Sequence, residues 1–250
     1  MLDLKALSKH IGGVHAVDGV DLTVAQGEIV GLSGPNGSGK STIVNLICGL
    51  FPATSGRVQV RGVDISALAP HARVAFGIAR TFQNIRLFGQ LTVWQNLWVA
   101  QHASQQHRQN RFLGRWLGGS RAARAEIDRM LEFFELAHKR DELAGNLAFG
   151  EQRRLEFARA LAAKPILLLL DEPAAGMNAE EIAELDNRIR TLRADGVTIL
   201  LIEHHMELVM AVTDRIAVLN FGQKIAEGTP AEIQANSLVR EAYLGTATSA

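Results

Sequence analysis

The run Gly34-Pro35-Asn36-Gly37-Ser38-Gly39-Lys40-Ser41-Thr42 brings together the residue types that hold a polyphosphate. Glycines at 34, 37 and 39 let the backbone turn tightly and aim successive N–H groups inward, with no side chain between them and phosphate oxygens. Lys40 supplies a point charge for the β- and γ-phosphates, and Ser41 supplies a hydroxyl suited to Mg²⁺. A helix starting there adds its positive N-terminal end. The run fits the Walker A pattern in full. A second chemical group lies far downstream, where Ile166 to Leu170 leads into Asp171, Glu172 and Pro173. Two acids at the end of a buried parallel strand lie at the edge where open α/β sheets bind ligands. Asp171 is suited to the Mg²⁺ shell and Glu172 to polarising an attacking water.

These residues need a frame that presents them. Apolar residues from Glu28 to Ser33 precede the glycine loop, and helical spacing from Ser41 to Leu50 follows it, giving the order strand, loop, helix. Val20 to Val24 and Val58 to Arg61 alternate as strands between glycine turns. From Thr92 the spacing becomes helical, through Trp94, Leu97 and Trp98 and again through Ile127, Met130, Leu131 and Phe134. After Gly150 the order is helix Glu151 to Ala163, strand Ile166 to Asp171, helix Ala179 to Ala194 and strand Thr198 to Glu203. Continuous apolar strands alternating with helices predict a parallel sheet covered on both faces. The expected fold is α/β, with a P-loop NTPase core, an N-terminal antiparallel β part and an α-helical subdomain inserted near residues 90 to 160. All of it belongs to one domain spanning 1 to 250, with a helical tail over 229 to 250.

Composition restricts the partners. The 250 residues carry no formal net charge, with 21% charged and 47% apolar residues, so no global basic field draws the chain to nucleic acid or anionic lipid. No unbroken apolar run is longer than Ile166 to Leu170, far short of the roughly 20 residues that span a bilayer. Met1-Leu-Asp-Leu-Lys-Ala does not read as a signal peptide, and the lone Cys48 reads as a small buried hydrophobe. A cytoplasmic location is expected.

With these motifs in hand, the chain resembles the nucleotide-binding subunits of ABC transporters over nearly its full length. The segment Leu147-Ala148-Phe149-Gly150-Glu151-Gln152, running on into a helix, is similar to the family signature Leu-Ser-Gly-Gly-Gln. The resemblance implies that Ala148, Gly150 and Gln152 of one subunit close on ATP held by the P-loop of another. It also implies that Gln83, in Arg80-Thr-Phe-Gln, contacts Mg²⁺ and senses a membrane partner, and that His204 is the switch histidine at the γ-phosphate. Ala148 replaces the signature serine, a change of roughly 0.5–1.5 kcal/mol in that contact. Ile11 stands where an aromatic ordinarily stacks on adenine, with His10 and His15 nearby. Ala175-Gly176-Met177-Asn178 and the tail from Glu227 to Ile233 resemble the ATP-binding subunit of bacterial branched-chain amino acid importers. That resemblance implies ATP and Mg²⁺ as cofactors, two integral membrane permease subunits and a second ATPase subunit, identical or paralogous. It implies indirect service to a periplasmic or extracellular solute-binding protein, no nucleic-acid partner, and a peripheral position on the inner face of the membrane. The alternatives are a related importer for urea, amides or another polar solute, a non-transport ABC ATPase, and a non-catalytic ATP-binding module.

Overall fold

The computed structural model describes residues 1–81, 85–103 and 120–244. In chain order the first elements are β1 (Leu2–Ile11), β2 (Val14–Val24), β3 (Ile29–Ser33), α1 (Lys40–Cys48), β4 (Ser55–Val60) and β5 (Val63–Asp64). Next come α2 (Pro70–Phe76), β6 (Ile78–Arg80), α3 (Val93–Ala103), α4 (Ser120–Phe133), α5 (Phe149–Ala162), β7 (Leu167–Asp171) and α6 (Ala179–Ala194). The chain continues through β8 (Ile199–Ile202), α7 (Met206–Val212), β9 (Arg215–Asn220), β10 (Gln223–Gly228), α8 (Pro230–Ala235) and α9 (Ser237–Leu244). It divides into two compact units, one formed by Met1–Arg73 with Leu169–Ala250 and the other by Val74–Leu168.

In the first unit, β3 lies parallel between β8 and β9, pairing Leu32 with Ile202 on one side and with Ala217 on the other. All five residues of β3 and all four of β8 are buried, which is why both read as continuous apolar runs rather than as alternating ones. The C-terminal residues of β7 lie beyond β8, and β10 closes the opposite edge antiparallel to β9. A separate antiparallel sheet has the order β2-β1-β4-β5.

The helix after the glycine loop is held at its far end. Gly49 takes a left-handed φ of 74°, and its N–H bonds back to the last turn of α1. A Cβ there would lie 2.7 Å from the Arg73 Nε, so glycine also lets that guanidinium approach. Arg73 Nη1 donates to the carbonyls of Leu46 (2.5 Å) and Ile47 (2.8 Å), where helices leave unpaired acceptors and carry partial negative charge. Cys48, expected to be buried, is only half-buried.

In the second unit, α3 packs on α5 and α4. Val93 and Leu97, four residues apart on one face of α3, are buried, as are Ile127, Leu131 and Phe134, and the Phe134 and Phe157 rings are 5.3 Å apart. Asn96 is fully buried. It accepts from Phe88 N–H and donates to the carbonyls of Phe88 and Thr92, fixing the loop that enters α3. β6 runs beside the start of β7, where Gly77 O accepts from Ile166 N–H at 2.8 Å.

Candidate nucleotide site

The glycine loop follows the buried end of β3, and its glycines are required for different reasons. At Gly34, with φ 145°, a Cβ would lie 2.2 Å from the Leu219 carbonyl oxygen. At Gly39, with φ 106°, it would lie 2.5 Å from that of Ala16. Gly37 has open space around its Cβ position and is required only by its φ of 77°. Ser38 N–H bonds to Pro35 O at 3.2 Å, curling the loop around its exposed tip at Asn36 and Gly37. The Ser38 hydroxyl is buried and has no hydrogen-bond partner among the described residues. A loop that a Cβ at Gly34 or Gly39 would break, with an orphaned hydroxyl on its wall, fits a phosphate chain.

Lys40 is 6% exposed, and its Nζ donates to Gly34 O at 2.7 Å and Pro35 O at 2.9 Å. The loop therefore holds its own cation. Burial lowers the pKa of this ammonium, and the nearby carboxylates of Glu172 and Asp171 oppose the shift. No acid occupies the first turn of α1, so the cradle stays positive at its helix end.

Asp171 ends β7 and is nearly buried. Glu172 leaves the strand with φ 48°, a left-handed conformation costly for a side chain of that size, and its N–H donates to Ile202 O at 2.8 Å. This bend turns Glu172 into a cleft of about 320 Å³ that it shares with the loop residues from Asn36 to Thr42. Val14, His15, Ala16 and Phe221 line the rest of the cleft, and Ile11 is not among its walls.

His204 follows β8 with its side chain about half exposed (48%), and it does not line the cleft. Its Nδ1 lies 3.3 Å from Glu203 Oε2. Glu203, fully buried, is a residue that the sequence reading passed over. One oxygen accepts from Ala174 N–H (3.0 Å), and the other accepts from His204 N–H (2.6 Å) and His205 N–H (3.0 Å). It joins the loop after Glu172 to the start of the histidine segment. The available signal was an acid closing a wholly apolar strand, since a buried carboxylate must find donors.

Ala148, Gly150 and Gln152 belong to the second unit. Ala148 is the N-cap of α5 and offers no side-chain acceptor to the first-turn amides. Glu151 accepts from Ala148 N–H at 2.9 Å, whereas the Gln152 amide turns back to donate to Leu147 O at 2.9 Å. Phe149 is exposed beside Gly150, with the Arg153 guanidinium 5.3 Å from its ring centre. Gln83 lies outside the described residues.

Residues 17–175 match the model of the ABC transporter family. The chain belongs to the ABC transporter family. Residues 223–248 also match the model described as branched-chain amino acid ATP-binding cassette transporter. The chain is 44% identical to the high-affinity branched-chain amino acid transport ATP-binding protein LivG of Escherichia coli, covering 99% of this chain and 98% of LivG. It is 42% identical to the corresponding protein BraF of Pseudomonas aeruginosa, over the same shares of each chain. The ADP conformation of MJ1267, an ATP-binding cassette of an ABC transporter, superposes with a TM-score of 0.84 at 33% identity, covering 98% of both chains. The dimeric post-hydrolysis cassette MJ0796, bound to ADP and Pi, gives 0.78 at 26%, covering 92% of this chain and 99% of that one.

The chain is therefore an ABC ATPase, and nucleotide binding follows from its family. Cassettes of this kind dimerise and work with membrane components. Among the described residues, no helix is long and apolar enough to cross a membrane.

Proposed function

We propose that this chain is the ATP-hydrolysing subunit of a membrane importer for branched-chain amino acids. The observation that carries the reading is the cleft in which Glu172 faces the loop holding Lys40. The cargo assignment is supported by the named transport roles of LivG and BraF and by the C-terminal match over residues 223–248.

In this reading the backbone N–H groups of the glycine loop, with Lys40, Ser41 and Thr42, bind the phosphates of ATP. Lys40, already desolvated, balances charge as it shifts to the leaving β-phosphate. Ser41, Asp171 and Gln83 would hold Mg²⁺. When bound, that ion neutralises the β- and γ-oxygens. Glu172, fixed by its bent backbone, orients the attacking water and accepts its proton. His204, from its half-exposed position, reaches the γ-phosphate once a second cassette closes.

That second subunit, identical or paralogous, supplies its own Ala148, Gly150 and Gln152 segment. With no side-chain acceptor at position 148, the first amides of α5 remain available to an external anion. The helical subdomain near residues 90 to 160, with the segment from Gln83 to Phe88, docks two integral permease subunits. Phe88 is exposed there, whereas Trp94 and Trp98 stack on each other at 5.0 Å. The pair thus sits peripherally on the cytoplasmic face, serving an external solute-binding protein through the permeases.

The test is Glu172→Gln in the assembled transporter. ATP affinity should be retained while steady-state hydrolysis falls by at least about tenfold. An unchanged turnover rate would sink the assignment.

A further inference from the structure

The two-residue turn joining β9 to β10 carries a side chain that its geometry does not favour. Phe221 and Gly222 both have positive φ, 45° and 81°, the conformation of a tight hairpin turn that ordinarily selects Asn, Asp or Gly at its first position. A bulky aromatic stands there instead. Phe221 is also 83% exposed, so it does not compensate by packing into the core. An unfavourable backbone state combined with an uncovered apolar ring points to use outside the fold.

The turn is fixed from two sides. Gly222 N–H donates to Ser38 O in the phosphate loop at 3.0 Å, and Gly222 O accepts from Asp18 N–H on β2 at 2.9 Å. A Cβ at 222 would lie 2.7 Å from the His15 carbonyl oxygen, so this glycine lets the two hairpins meet. Phe221 is thereby held at the cleft wall, sharing it with Val14 and His15. The His15 ring is itself stacked on His10, with centroids 4.0 Å apart and planes 13° apart, which fixes its orientation. One part of the cleft wall is amide-rich and cationic, and another is apolar and aromatic. Ile11, which stands where an aromatic ordinarily stacks on adenine, is exposed and does not line the cleft.

We propose that Phe221, with His15 and Val14, is the platform on which the base of the nucleotide stacks, and that Phe221 sets the preference for purines over pyrimidines. This rests on the ATP reading above. Stacking on an aromatic ring tolerates any base but gains with ring area, so the larger purine benefits more.

The test uses the full chain in equilibrium titrations with ATP, UTP and inorganic tripolyphosphate. Phe221→Asn suits the turn, so a binding loss cannot be assigned to misfolding, and Phe221→Tyr retains the ring. For Phe221→Asn, ATP affinity should fall about tenfold, the ATP-to-UTP ratio should narrow, and tripolyphosphate affinity should hold. Phe221→Tyr should match the parent. Wild-type ATP affinity in Phe221→Asn would overturn the proposal, as would an equal loss for tripolyphosphate. If the unsubstituted chain bound neither ATP nor tripolyphosphate, the nucleotide reading would fall first, and the platform with it.

Discussion

At the scale of single residues, the site depends on groups placed where they are costly. Lys40 is desolvated, Glu172 is in a left-handed conformation, and Glu203 is a carboxylate buried among three N–H donors. Lys40→Ala removes the cation from the cradle, so ATP affinity should drop by an order of magnitude or so, consistent with losing a charged hydrogen bond. Isothermal titration checks this, and unaltered affinity would count against the cradle. Glu203 acts on the site through its neighbours. Glu203→Gln replaces an acceptor oxygen with an NH₂ group facing backbone donors, which should cost about 1–3 kcal/mol of folding stability. Because the same carboxylate anchors His204 and Ala174, the variant should also lower kcat more than it raises KM for ATP. Urea unfolding and steady-state kinetics together test this, and a stability loss with kcat intact would reduce Glu203 to a purely structural role.

At the scale of elements, sequence legibility follows the range of the forces involved. The span of α6 is legible from local sequence, because Asn178 caps it with Glu181 returning the bond and buried Leu185, Ile189 and Leu192 mark its inner face. The strand β1 escapes such a reading. Its pairing with β2 shifts register between Leu4 and Leu7, between Leu7 and Lys9, and between Lys9 and His10, and Ala6 takes φ 46° with its N–H on Asp21 Oδ1. Each shift breaks the alternation that would identify a strand. The Walker A loop was legible because its geometry is local to consecutive residues. Val14 and Phe221 were not, since long-range hairpin contacts bring them to the cleft.

Ties between elements also carry a pH dependence. Arg215 donates to Glu28 Oε1 and Glu227 Oε1, both at 2.7 Å, and to Thr23 O, binding β9 to β10 and to the end of β2. Burial raises the Glu28 pKa, but the Arg215 hydrogen bond and charge, with the Ala25 N–H, outweigh it and hold the carboxyl below its ordinary value. A depressed carboxylate pKa stabilises the fold fully above the unfolded value, and that contribution is lost as pH falls through the folded one. Arg215→Met should therefore lower the urea midpoint at neutral pH and flatten its decline between about pH 6 and about pH 3. A variant that retained the full acid-side decline would show that other carboxylates dominate it.

At the scale of the whole chain, α9 reaches back to the strand that precedes the glycine loop. The helices α8 and α9 cover a core formed by Val209, Ile216, Val218, Ala226, Ile233 and Val239, so the tail is an integral layer over the β9–β10 hairpin. From α9, the Tyr243 hydroxyl meets Ser33 Oγ at 2.7 Å, and Ser33 in turn donates to the Glu203 carbonyl at 3.2 Å. Ser33 is the last residue of β3, immediately before Gly34. Two later segments, one at Glu203 after β8 and one on α9, thus converge on the residue that precedes the glycine loop. Tyr243→Phe keeps the ring in the core and removes only the hydroxyl. Its cost should be about 1 kcal/mol of stability, the worth of one such bond. If Tyr243 steadies the loop, amide exchange at Ser33 and Gly34 should accelerate while exchange in α6 does not. A uniform acceleration over the first unit would instead mean that the hydroxyl supports overall stability and leaves the loop no more mobile than its surroundings.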